Sequence, residues 1–251
     1  MVSFAAEQRF IVTGASSGIG EGVALLLNEL GASVIGIGRN RERLEGMKSK
    51  AKHPENIFLE QKDLSADIPG LPGYVKMIKE KYGKLSGMAY CAGITAVMPA
   101  KAFDFEMAQR TFSIDYYAPV FMAKGLIDKR NTIGWGTAMV FISSMDAVLS
   151  VKSQSLYSGA KAALCATIKA IAKEVSPFGV RMNCLLPSMI KTPMTIGESK
   201  EHYGVTEDGD VRYPFGWGEP IDVANFVAFL LSDRSKYITG QNYIVDSGGM
   251  L

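Results

Sequence analysis

Tyr157 and Lys161 lie at i and i+4 in a stretch whose apolar residues recur at helical spacing, so their side chains share one helix face. A phenol, with a reference pKa of about 10, is a poor acid or base at neutral pH. A lysine ammonium beside it favours the phenolate and draws its pKa toward the working range. Such a pair can pass a proton to or from an oxygen. Ser144, in the Ser143-Ser144 pair that closes an apolar run, can hydrogen-bond the same oxygen. Tyr-x3-Lys alone is also an ordinary surface pair. The strand-end serine and a second, glycine-rich motif take it out of that class.

That second motif is Thr13-Gly14-Ala15-Ser16-Ser17-Gly18-Ile19-Gly20, between the apolar run Phe10–Thr13 and a helical pattern over 19–30. Glycines let the backbone turn tightly and approach a pyrophosphate, and a helix N-terminus offers free N–H groups and a positive dipole end. The spacing is Gly-x3-Gly-x-Gly. The next strand, Val34-Ile35-Gly36-Ile37, runs into Gly38-Arg39 with no carboxylate to take a ribose 2′-hydroxyl. The Arg39 guanidinium can instead pair bidentately with a 2′-phosphate, or be a solvated surface arginine. The first reading selects NADP(H) over NAD(H).

Both motifs need a frame that presents strand ends and helix starts together. Strand-like runs occur at Phe10–Thr13, Ser33–Ile37, Ile57–Gln61, Met88–Cys91, Met139–Ser143, Met182–Leu186 and Tyr243–Val245. Helical patterns lie between them, including 19–30, 156–175 and 221–231, the last after the start signal Glu219-Pro220. This alternation predicts a single doubly wound α/β domain, a parallel seven-stranded sheet with helices on both faces. The Gly- and Pro-rich segment 191–218 reads as a loop or a substrate lid.

Composition narrows the function classes. The 251 residues are 47% apolar, enough for one large core, and carry 27 Lys and Arg against 25 Asp and Glu. A net charge of +2 gives no electrostatic footprint for nucleic acid or an anionic membrane. No apolar run is long enough to span a bilayer, and the N-terminus does not read as a signal peptide. Cys91, Cys165 and Cys184 form no CxxC pair, so no zinc site or disulfide framework is expected, and a reducing, cytoplasmic setting is the default. Of the two histidines, His53 reads as a solvated loop residue, and His202 falls in the 191–218 segment, where a substrate role is open. Tyr203, Tyr213, Phe215 and Trp217 either line a pocket or pack that segment down.

Taken together, these residues resemble the short-chain dehydrogenase/reductase family over essentially the whole chain. The turn at 13–20 matches its TGxxxGxG, and Ser144, Tyr157 and Lys161 match its catalytic Ser and YxxxK. Asp63-Leu64 resembles the acidic position that meets the adenine. Tyr90-Cys91-Ala92-Gly93 stands where the family has NNAG, and Leu186-Pro187-Ser188 where it has PG. Ile190 and Thr192 match residues that hold the nicotinamide carboxamide, and Val245-Asp246-Ser247-Gly248-Gly249 resembles its VDGG.

The resemblance implies a Rossmann fold, a nicotinamide cofactor and hydride transfer between a secondary alcohol and a ketone. In that scheme Tyr157 is the general acid–base group, Lys161 lowers its pKa and holds the ribose, and Ser144 orients the carbonyl. It also implies a homotetramer or homodimer with the 156–175 helix in one interface. The family's fourth catalytic residue, an Asn whose backbone carbonyl holds a relay water, falls on Asp115. Asp115 is expected either as a carboxylate that offsets part of the Lys161 charge or as a protonated mimic of Asn. Alternative functions are a 3-oxoacyl-carrier-protein reductase, a sugar or polyol dehydrogenase, and a nucleotide-binding sensor without chemistry. Between 194 and 212, Glu198, Glu201, Glu207, Asp208 and Asp210 outnumber Lys200 and Arg212, which disfavours a highly anionic substrate. Lys129-Arg130 reads as a solvated helix end rather than a dock for an acidic carrier.

Overall fold

The computed structural model describes residues 2–149, 151–198 and 212–249. Among them, seven strands form a parallel sheet in the order β3-β2-β1-β4-β5-β6-β7. They are β1 (Arg9–Thr13), β2 (Ser33–Gly38), β3 (Ile57–Gln61), β4 (Gly87–Tyr90), β5 (Ala138–Ile142), β6 (Arg181–Pro187) and β7 (Asn242–Val245). Every residue of β2, β4, β5 and β6 is buried, as expected for strands covered on both faces.

One face is covered by α1 (Gly18–Glu29) and α8 (Pro220–Leu231), whose Val23, Leu27, Val223 and Val227 pack against Val12, Val34 and Val140. Short α2 (Arg41–Ser49) joins this layer through Leu44 and Met47. The other face is covered by α3 (Leu71–Tyr82), α5 (Ala118–Ile127) and α6 (Ser155–Val175), through Val75, Ile78, Met122, Leu126, Leu164 and Ile168. Helix starts follow local chemistry. The Asn40 side chain accepts from Arg43 N at 2.9 Å, and Glu219 and Asp222 form a reciprocal capping box ahead of Pro220.

The strands and helices read from periodicity differ from the structure by at most one residue at either end. His53 lies in a partly exposed loop where its Nδ1 is 3.7 Å from Glu55. Arg130 pairs with Asp128 at 2.6 Å, and Lys129 sits 4.1 Å over the Phe178 ring. No helix among the described residues is long and apolar enough to cross a membrane.

Two features shape the site. α4 (Phe105–Phe112), capped by Asp104, runs into α5 through a π-helical turn at Ser113–Tyr117, where the Ala118 N–H reaches back five residues to Ser113 O. Pro119 has no N–H to offer the Asp115 carbonyl four residues earlier, so regular helix is broken at Asp115. The Tyr90 hydroxyl, at the end of β4, donates to Ile114 O at 3.0 Å and ties the turn to the sheet.

The 191–218 segment is closed at its base. Lys191 N donates to Gly218 O at 2.8 Å, and Gly218 N to Met189 O at 3.0 Å. Inside it lies α7 (Pro193–Glu198). Tyr213 and Trp217 are buried at 7% and 5% exposure, whereas Phe215 is 91% exposed. The first two therefore pack the 212–218 end down, and none of the three lines the main cleft. Lys200, Glu201, His202, Tyr203, Glu207, Asp208 and Asp210 lie outside the described residues.

Candidate active site

The main cleft opens where β1 and β4, adjacent in the sheet, send their chains to opposite faces. This is where a doubly wound sheet binds ligands. Thr13, fully buried at the end of β1, holds the cleft floor together. Its Oγ1 accepts from both Cys91 N and Ala92 N at 3.0 Å. Gly14 and Gly18 have φ of +65° and +56°, values that favour glycine. At Gly20 a Cβ would lie 2.3 Å from Gly14 O, so only glycine lets α1 start this close to the turn. Ser17 precedes α1 without a side-chain cap, which leaves the first N–H groups of a 12-residue helix to face the cleft.

We expect Gly20→Ala to cost about 1–3 kcal/mol of stability, the usual range for overpacking. It should also abolish dinucleotide binding. Urea denaturation and a cofactor fluorescence titration check the two effects separately.

The end of β2 presents Arg39, exposed at the cleft wall, with the Ser16 hydroxyl 3.2 Å from where a Gly38 Cβ would lie. Asp63 accepts from Ser65 Oγ at 2.6 Å and Ser65 N at 2.9 Å. These bonds hold its carboxyl below the ordinary range, with the Arg39 and Lys62 charges adding to the effect. Leu64, Ala92, Gly93, Pro187, Ser188, Ile190 and Thr192 complete the wall. Every residue read from sequence as cofactor-binding or catalytic lines this one cleft, apart from Asp115.

At the inner end stand Ser144, after β5, and Tyr157 and Lys161 on the first turns of α6. The Lys161 ammonium lies 5.6 Å from the Tyr157 ring centroid and donates to Ile142 O at 3.0 Å. Ser143 Oγ donates to Lys161 O at 3.1 Å and accepts from Cys165 Sγ at 3.2 Å, fixing this turn of α6 to β5. Asp115 stands behind the lysine, fully buried, with Oδ1 3.1 Å from Lys161 Nζ, and its Oδ2 accepts weakly from Ile94 N at 3.5 Å. Gly93 makes room for the pair, since a Cβ there would sit 2.6 Å from Asp115 Oδ1.

The electrostatics depart from the expected tuning. Burial pushes the Tyr157 phenol up to about 12. The Lys161 charge pulls it down and the Asp115 and Asp146 charges push it up, while a hydrogen bond with Ser144 lowers it. The sequence reading has Lys161 draw the phenol down with Asp115 able to offset part of its charge; here burial outweighs the ammonium, and Asp146 adds a second carboxylate. Burial works against the Lys161 charge, yet Asp115 and then Tyr157 carry the ammonium above its ordinary value. Burial raises Asp115, and Lys161 pulls it back. Cys91 is pushed up to about 12 by burial and is a neutral thiol beside the cleft.

Sequence reasoning missed three residues. Thr13 was inside the quoted motif but given no role. Tyr90 was visible only as a departure from NNAG. Asp146, an acid two residues after the strand-end serine, lies in the short 3₁₀ turn Met145–Ala147, where its N–H donates to Ser144 Oγ at 3.2 Å.

The family described as enoyl-(acyl carrier protein) reductase matches residues 14–250. A 3-oxoacyl-[acyl-carrier-protein] reductase FabG of Rickettsia bellii is 33% identical over 248 residues, covering 97% of each chain. An NAD-dependent glycerol dehydrogenase of Listeria innocua is 29% identical, covering 95% of this chain and 92% of the other. A solved short-chain type dehydrogenase/reductase from Mycobacterium ulcerans is 29% identical with a TM-score of 0.88, covering 99% of this chain and 91% of that one. With the glycine turn, the cleft and the Ser-Tyr-Lys group on one parallel sheet, the chain belongs to the short-chain dehydrogenase/reductase family and is an oxidoreductase that uses a nicotinamide cofactor.

Proposed function

We propose that this protein is an NADPH-dependent reductase of small-molecule ketones, with Tyr157 as proton donor. The observation that carries this reading is the Tyr157 phenol beside Ser144 and the Lys161–Asp115 pair, held protonated at neutral pH. The cleft fits a dinucleotide, because only a glycine cradle and an uncapped helix start admit a backbone-hugging pyrophosphate there.

When bound, the nicotinamide supplies the hydride that forms the new C–H bond at the carbonyl carbon. Ser144 donates a hydrogen bond to the carbonyl oxygen and orients it. Tyr157 gives that oxygen its proton, forming the alcohol O–H. Lys161 stabilises the phenolate left behind, and Asp115 and Ile142 O hold the ammonium in place. An ammonium carries three donors, so one remains for a ribose hydroxyl. The 191–218 segment, pinned at its base beside Thr192, acts as a lid over the substrate end. A second copy packs along α6, α4 and the π turn after it, where Phe105 of α4 and Tyr117 of the turn are exposed, as a dimer or tetramer. The direct test is absorbance at the nicotinamide band with a panel of ketones, keto-sugars and 3-oxoacyl thioesters. No turnover with any of them overturns the reading.

Arg39 selects NADPH through a charge-assisted contact with the 2′-phosphate, aided by the Ser16 hydroxyl at the same strand end. Such a bond contributes about 1.5–3 kcal/mol. Arg39→Ala should therefore weaken NADPH binding by about tenfold or more and leave NADH nearly unchanged. Equal use of NADH and NADPH by the wild type would sink the assignment. The acyl-carrier relatives favour a thioester substrate as the second reading, and the acidic excess of 194–212 opposes it.

A further inference from the structure

Arg110 is a cation that the fold does not use. It lies exposed on α4 and lines the main cleft together with Ile114, one turn further on. Among the described residues its side chain makes no hydrogen bond, ion pair or ring contact. A partner is at hand on the same helix. Glu106 stands four residues earlier, the order in which a Glu and an Arg on one helix face stabilise each other. Such pairs close elsewhere in the chain, Arg41 with Glu45 and Lys76 with Glu80 at 3.7 Å. Arg110 does not pair with Glu106 and faces the cleft instead. Nor does it satisfy a helix end, because the Ser113 N–H already donates to Arg110 O and Gln109 O.

The walls of the cleft decide what this charge meets. The chain leaving β1 makes the glycine turn and α1 on one side of the crevice, and the chain leaving β4 makes α4 on the other. The turn and α1 offer backbone N–H groups and a dipole of roughly half an elementary charge. A diphosphate laid against them is a dianion, and residues 13–20 contain no cation to balance it. The remaining cleft cations have other neighbours. Lys161 pairs with Asp115 at 3.1 Å, and Arg39 and Lys62 act on Asp63 at the ends of β2 and β3. Arg110 is left. Ile114 precedes Asp115, so Arg110 stands about 6 Å of helix rise from the level of the Lys161 pair. The ribose that Lys161 holds is joined directly to the diphosphate, which brings that dianion within reach of a long arginine side chain.

We propose that Arg110 is the counter-charge of the coenzyme's diphosphate, pairing with its outward oxygens while the glycine turn and α1 hold the inward ones. The assignment rests on the dinucleotide site described above and not on the choice of NADPH, since NADH carries the same diphosphate. Arg110 therefore serves either coenzyme, whereas Arg39 acts on the 2′-phosphate alone.

Fluorescence titrations with NADPH and NADH, with competition by ADP-ribose and adenosine, test it. Arg110→Ala should weaken NADPH, NADH and ADP-ribose by a common factor of about five to ten, the scale of one partly screened charge-assisted contact, and leave adenosine unchanged. Arg110→Lys should keep part of the affinity, because the charge remains and the bidentate fork is lost. Arg110→Glu should bind all three phosphate-bearing ligands worse than Arg110→Ala. In turnover, the KM for NADPH should rise with no fall in kcat at saturation. The Tm without ligand should stay at the wild-type value in all three variants; a merely structural arginine would lower the Tm and leave the ratio of ADP-ribose to adenosine affinity as it was.

A loss confined to NADPH overturns the assignment and places Arg110 on the 2′-phosphate. Unchanged coenzyme affinity also overturns it, and a KM that then rises for acetoacetate but not for ethyl acetoacetate gives Arg110 to a substrate carboxylate. A wild type that binds neither coenzyme overturns the dinucleotide site and the role of Arg110 together.

Discussion

Tyr157→Phe should lower kcat/KM for ketone reduction by at least 10²–10⁴, the range that a single positioned acid–base group supplies. The ring is kept and only the hydroxyl proton is lost, so NADPH affinity and Tm should stay close to wild type. A variant retaining more than about a tenth of the activity would mean that another group delivers the proton. The raised phenol adds a directional signature. With a pKa of about 12, Tyr157 is a phenol throughout the neutral range and is always ready to donate. Reduction by the wild type should therefore be nearly flat with pH up to strongly alkaline values, as far as this residue governs it. Alcohol oxidation needs the phenolate, which is about one molecule in 10⁵ at pH 7. Its rate should climb about tenfold per pH unit until the phenol titrates. Initial rates in both directions across pH, for the wild type and Tyr157→Phe, show whether the rising limb belongs to this tyrosine.

Much of this arrangement is legible in the sequence because it rests on local chemistry. The strands are apolar runs that the parallel sheet buries on both faces, and Glu219-Pro220 announces α8 through its capping box. The glycine turn is legible because no other residue type meets the steric limits at Gly14 and Gly20. Tertiary electrostatics are less legible. Tyr157 and Lys161 share a helix, so their pairing can be read from spacing. Burial raises the phenol most, and the charges that add to it come from Asp115, on the turn after α4, and from Asp146, after β5. Nothing in the spacing of 115, 146 and 157 says that three chain segments bring these side chains together. The π turn was likewise hidden, although Asp115 and Pro119 stand the four residues apart that deny Asp115 its helical donor.

Lys161→Met should destabilise the protein by about 3–5 kcal/mol at pH 8, the cost of stripping one partner from a buried ion pair, as well as abolish turnover. The magnitude follows from burial. Asp115 is 0% and Lys161 4% exposed at the side chain, so water cannot replace the lost partner. The pH dependence gives the sign. Without the ammonium, burial of Asp115 acts unopposed, and the native state holds its proton well above the pKa of the unfolded chain. The stability deficit should therefore grow as pH rises and shrink in acid, where the carboxyl is neutral in both states. Lys161→Met/Asp115→Asn, with no charge left to bury, should recover most of the stability and none of the activity. Denaturant midpoints for the two single variants and the double variant measure the coupling directly. Asp115→Asn alone separates the two states open to this carboxyl. If Asp115 is ionised in the native site, removing its charge lets Lys161 act on Tyr157 unopposed, and the rising limb of alcohol oxidation should shift to lower pH. Superimposable profiles for wild type and Asp115→Asn would mean that Asp115 is already neutral, and the large coupling expected with Lys161→Met should then vanish as well. A carboxylate at this position ties the acid strength of the catalytic phenol to the stability of the same buried pair, so the two measurements must agree.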